Sequence, residues 1–73
     1  MKVQNLWGEE RNLKHNKMFE VCSNFNNSQF INSPDEESAI LKFKQIHPRA
    51  GNLIEAKECK LPKSADISLI VEV

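Results

Sequence analysis

Glycine is scarce in this chain: only Gly8 and Gly51 occur among 73 residues. Two isolated glycines cannot build a phosphate cradle of the P-loop or dinucleotide-binding kind, which needs several in one loop so that backbone N–H groups approach the phosphates. Long apolar runs are missing too, and nothing approaches the roughly 20 apolar residues of a membrane-spanning helix. The start, MKVQNLWGEER, has one lysine and then polar residues, without the apolar centre of a secretory signal. No membrane association and a cytoplasmic location are therefore expected.

Cysteine is limited to Cys22 and Cys59. With His15 and His47 they supply the ligand types of a Cys₂His₂ zinc site, but no Cys-x₂₋₄-Cys or His-x₃₋₅-His pair exists, so neither a metal nor a cofactor is expected. In a reducing compartment the two thiols are expected to be free and to act as small apolar residues. Cys22 with His47 is the one formal nucleophile and base pair, yet nothing in the sequence places them together. The carboxylate pairs Glu9-Glu10 and Glu36-Glu37 read as surface and helix-start charges. The chain is not expected to be an enzyme.

Charge of one sign is not in excess. Ten basic and ten acidic residues cancel to a formal net charge of zero, whereas a duplex-binding domain of this size usually carries a marked basic excess to displace counterions. Nucleic acid is thus the less favoured partner, kept as an alternative through Arg11, Lys14, Lys17, Lys42, Lys44 and Arg49. The densest basic run, Arg11 to Lys17, reads first as a solvated loop beside Glu9 and Glu10.

What is present suffices for one domain over 1–73. The hydrophobic share of 40% and charged share of 27% are those of a globular protein. A chain this short buries only about 60% of its unfolded surface, so a partner is a natural source of further stability. Residues 1–16 show no clean period and read as an irregular N-terminal arm, with 17–73 as the folded core. Trp7, the single tryptophan, is the natural anchor of that arm, and core packing of its ring outweighs an exposed binding role.

Residues 17–25 alternate, with Phe19, Val21, Ser23 and Phe25 on one face and Met18, Glu20 and Cys22 on the other, which is a strand signal. Asn26-Asn27-Ser28 is turn chemistry, and 29–31 pairs back as a short second strand. A helix follows over 34–47, with Ser33 as cap, Pro34 in its first position and Glu36 closing a capping box. Its stripe of Ala39, Ile40, Phe43 and Ile46 faces a sheet, and Leu41 points almost oppositely. Pro48 stops it and Arg49-Ala50-Gly51-Asn52 turns. A third strand over 53–61 carries apolar residues of both parities, which implies a bulge or partial cover on both sides. The last strand, 67–73, sets Ile67, Leu69, Val71 and Val73 on one face. The expected fold class is α+β: an antiparallel sheet of three to four strands in the order β-β-α-β-β, with one helix across one face. The other face, offering Met18, Cys22 and Ile70, is either covered by the arm or open.

The pieces Phe19-Glu20-Val21, the helix start SPDEESAI at 33–40 and the strand at 53–57 together resemble small proteins of phages and mobile elements, including some anti-CRISPR proteins. The long arm departs from their usual pattern. What the resemblance implies is a non-catalytic protein that occupies a surface of a larger host complex such as a CRISPR effector; it carries over no functional residues. The expected function is therefore a small protein-binding module. Its candidate contacts are Trp7, Arg11 and Lys14 on the arm, and Glu37, Leu41 and Lys44 on the outer helix face. A homodimer through an edge strand, the last strand being a natural edge, is a further possibility.

Overall fold

A computed structural model describes residues 1–23, 28–51 and 53–73. Asn24, Phe25, the Asn26-Asn27 turn and Asn52 lie outside the described residues. Strands β1 (Lys2–Gln4), β2 (Glu10–Asn12), β3 (Met18–Ser23) and β4 (Gln29–Asn32) precede helix α1 (Glu36–Ile46). Strand β5 (Ile54–Glu58), a 3-10 turn (Ile67–Leu69) and β6 (Val71–Glu72) complete the chain. The order from β3 onward is the expected one, and the class is α+β with one helix.

The arm is not irregular. Its two short strands pair antiparallel, with Val3 opposite Arg11, and the Met1 ammonium and carbonyl both bond Leu13. Only Val3 within these strands is buried and β2 has no apolar residue at all, so the two short runs left no visible period.

The main sheet has strand order β5-β3-β4-β6. It is mixed, not antiparallel: β3 pairs antiparallel with β4 and β5, and β6 runs parallel to β4. The physical reason is two crossovers. The chain leaves β4, returns through α1 over one face to β5, then passes beneath the other face to the far edge. The expected strand over 67–73 shrinks accordingly. Asp66 accepts the N–H of Ser68 at 2.9 Å and its hydroxyl at 2.6 Å, which starts a helical turn. Ile67 and Ile70, three apart, are buried while Leu69 is 68% exposed, the period of a 3-10 turn and not of a strand.

The helix begins two residues later than its sequence suggests. Ser33 still belongs to the sheet side, donating its N–H to the Lys17 carbonyl at 3.2 Å, so the backbone cannot turn until Pro34 has passed. Asp35, extended at φ −153°, becomes the cap and accepts the Ser38 N–H at 2.7 Å. The capping box from Ser33 to Glu36 gives way to this arrangement, and the Ser33 hydroxyl instead donates to the Asp35 carbonyl at 2.6 Å. His47 closes the helix through its N–H to Phe43.

Two apolar clusters result, one on each sheet face. Phe19, Val21, Ile31, Ala39, Phe43 and Ala50 form the first under the helix, with Ile54, Ala56 and Val71 at its margin. Ile46, expected in the stripe, is 37% exposed at the helix end. Val3, Leu13, Met18, Ile67 and Ile70 form the second, flanked by Phe30, Cys59 and Leu61. The second face is thus covered by the N-terminal hairpin and the returning C-terminal segment. The two parities of β5 also find their reason: Ile54 and Ala56 face the helix, whereas Cys59 and Leu61 reach the opposite cluster.

Candidate functional site

The β1–β2 connection carries two adjacent exposed apolar side chains, Leu6 and Trp7. Asn5 organises it. Its side-chain oxygen accepts the N–H groups of Trp7 at 3.0 Å and Glu9 at 3.1 Å, and its own backbone bonds the Glu9 carbonyl and the Gly8 N–H. The Leu6 N–H donates to the Lys63 carbonyl at 2.9 Å, fastening the loop to the C-terminal half. Gly8 takes φ +80°, a region that a side chain disfavours. Leu6 and Trp7 project from this braced loop with 67% and 72% of their surface exposed.

Core packing of Trp7 is therefore overturned. Asn5 and Gly8 place Trp7 at the tip of the turn, and the buried positions of the hairpin are taken by Val3 and Leu13. Leu6 was not singled out by sequence reasoning; the signal available was Asn5 followed three residues later by Gly8, a turn signature that puts the intervening pair at its tip.

The other sequence candidates divide. Arg11 points inward: its Nη1 donates to the carbonyls of Ile67 at 2.9 Å and Ile70 at 2.8 Å, and its Nη2 pairs with Glu72 at 3.2 Å. It closes the 3-10 turn. Lys14 is exposed in the β2–β3 connection, and Glu37, Leu41 and Lys44 are exposed along the outer helix face. Leu41 borders a shallow depression with Ser38, Lys42, Gln45 and Val73. Trp7 stands on the hairpin over the Met18 face and Leu41 on the helix over the Phe19 face, so these residues do not make one surface.

The chemistry-bearing residues are held apart. Cys22 shares the parity of Met18, while His47 packs on Phe43 at 4.7 Å between ring centroids and bonds Gln29 at 3.0 Å on the helix side. The sheet separates them. Cys22 lies opposite Glu55, and Cys59 bonds through its N–H to Met18, four positions along β3, so the two thiols are free and distant. Burial, then the nearby Glu20 carboxylate, pushes the Cys59 thiol above its ordinary value. His15 bonds the Val73 carbonyl oxygen at 3.0 Å. Among the described residues no three His, Cys, Asp or Glu side chains gather as metal ligands. No described helix is long and apolar enough to cross a membrane.

A basic cleft also emerges that the sequence order hid. Lys2, Lys17, Lys60 and Lys63, together with Glu58, line a cleft of ≈ 500 Å³ between the hairpin and the end of β5. Lys2 is paired with Glu10 at 3.2 Å. No family model matches this chain, and no curated protein or solved structure matches it either.

Proposed function

We propose that the chain is a small non-catalytic protein-binding module whose contact element is the Leu6-Trp7 tip. The observation that carries this reading is the combination of exposure and bracing. The Asn5 clamp bonds the backbone N–H of Trp7, so the loop under the 72% exposed ring loses little backbone freedom on binding, and tryptophan is prominent among residues that dominate interface energy. The partner it suits is a protein offering an apolar pocket. In keeping with the resemblance to small phage and mobile-element proteins, that partner is a subunit of a larger host complex, a CRISPR effector being the first candidate. The separation of Cys22 from His47 and the upward push of burial and Glu20 on the Cys59 thiol support the non-catalytic part of the reading.

The test is cross-linking and co-purification from candidate host lysates with wild type and Trp7→Ala side by side. The wild type should retain a partner that Trp7→Ala loses, with the melting temperatures of the two within about 2–4 °C because an exposed side chain contributes within about 0.5 kcal/mol. Equal retention by both proteins would remove the tip from the interface.

The Lys2, Lys17, Lys60 and Lys63 cleft favours a second reading, binding of a nucleic-acid backbone. Salt separates the two: phosphate-led affinity through these four lysines falls roughly 10²-fold between 50 and 200 mM salt, whereas an apolar interface changes little.

A further inference from the structure

We infer that β5 is a self-complementary edge through which two copies of this chain join their sheets into one of eight strands. The two edges of the main sheet differ. At the β6 edge the outward Ile70 carbonyl is occupied by Arg11, and Arg11 also holds the Glu72 carboxylate, so a side chain lies across that two-residue edge. At the β5 edge nothing intervenes: β5 ends the strand order, and among the described residues its outward groups have no partner.

Hydrogen-bond phase determines which groups those are. The Cys59 N–H donates to the Met18 carbonyl, and the register continues through Lys57 opposite Glu20 and Glu55 opposite Cys22. Because bonding direction alternates along a strand, Glu55 and Lys57 turn their backbone groups toward β3. Ile54, Ala56 and Glu58 turn theirs to solvent.

An antiparallel pair of β5 strands about a two-fold axis at Ala56 then sets Ala56 opposite its copy and Ile54 opposite Glu58, with all three outward donors and acceptors of each strand bonded. In the same register Glu55 faces Lys57 of the second copy, twice by symmetry. These are the positions without mutual backbone bonds, where side chains approach most closely. Neither residue has an ion-pair partner within the chain among the described residues. One step further out, Leu53, 66% exposed, lies opposite the half-buried Cys59. Moving the axis by one residue sets Glu55 against its own copy or Lys57 against its own copy. A lysine on an edge strand usually discourages pairing; here the two charges disfavour both neighbouring registers, and the occupant they select is a second copy.

Sedimentation equilibrium from about 10 µM to 1 mM tests this, the range suited to an interface below about 1,200 Å². Wild type should show a monomer–dimer equilibrium. Glu55→Lys and Lys57→Glu, both at exposed positions, should each keep the far-UV circular dichroism of wild type and dimerise about tenfold more weakly, as two attractive cross-strand pairs become repulsive. Mixed in equal amounts, the two variants should associate with each other as tightly as wild type, because each then supplies the charge the other lacks. Trp7→Ala should leave the equilibrium unchanged, which keeps this edge distinct from the proposed tip. A wild type that stays monomeric throughout, single variants that dimerise like wild type, or a mixture no tighter than its components would each overturn the proposal.

Discussion

Replacing Asn32 with alanine is expected to cost about 2–4 kcal/mol, a large part of the roughly 4–11 kcal/mol available to a domain of this length. Asn32 is fully buried. Its Oδ1 accepts the His15 N–H at 2.9 Å, and its Nδ2 donates to the carbonyls of His15 and Lys17 at 2.9 Å each. The Lys17 carbonyl also accepts from Ser33 at 3.2 Å, so it keeps a partner in the variant. Both backbone groups of His15 lose theirs, at about 1–3 kcal/mol for each buried group left unpaired. Half-exposure of His15 lets water recover part of that, which sets the estimate. Urea unfolding should show the midpoint falling by about 2 M or more, for a slope near 1 kcal/mol per molar. Asn12→Ala, at an exposed position in β2, should stay within about 0.5 kcal/mol of wild type. A loss below about 1 kcal/mol for Asn32→Ala would refute the clamp. Asn32→Asp adds a pH test: the new carboxylate faces two carbonyls in a buried site, so its folded pKa rises above the unfolded value of about 3.9. Measured relative to wild type, its stability should then be greatest at low pH and fall as pH rises through that folded value.

Phe43→Ala should cost about 3–5 kcal/mol by opening a cavity beneath the helix, and Leu41→Ala should stay within about 0.5 kcal/mol; thermal melts of the pair check which helix face is used. Arg11→Lys should lose about 1–2 kcal/mol, because one ammonium cannot reproduce the fork that spans two carbonyls and Glu72, and amide exchange near Ile70 should accelerate. The Ser38 N–H, then its hydroxyl, hold Asp35 below its ordinary 3.8, and the Ser68 hydroxyl, then its N–H, do the same for Asp66. Both contributions are complete above that value and disappear as pH falls through the lower folded values. Urea midpoints measured from pH 6 to 2 should therefore decline mainly below about pH 4, and less so in Asp35→Asn.

How much was legible depends on how many residues carried each signal. The alternation of Phe19, Val21 and Ser23 and the stripe of Ala39 and Phe43 involve several residues apiece, and both were readable. The N-terminal hairpin rests on single apolar residues plus Asn5, and a lone polar side chain has no period. Asn32 and Asn5 look alike in sequence to the asparagines of exposed turns; only the groups brought against them distinguish a buried clamp from a solvated turn. Of the candidate contacts, Trp7 emerged at the tip and Leu41 on an outward face, whereas Arg11 was claimed by carbonyls 56 and 59 residues away.

By itself the sequence determined the class, one helix on a sheet, its apolar faces and the absence of motifs for phosphate or zinc binding, because these follow from local period, spacing and residue type. Tertiary structure decided the direction of the last strand, the destination of Arg11, the exposure of Trp7 and which sheet edge stays open. Those depend on contacts between segments remote in the chain, where a crossover or one buried amide outweighs any local preference.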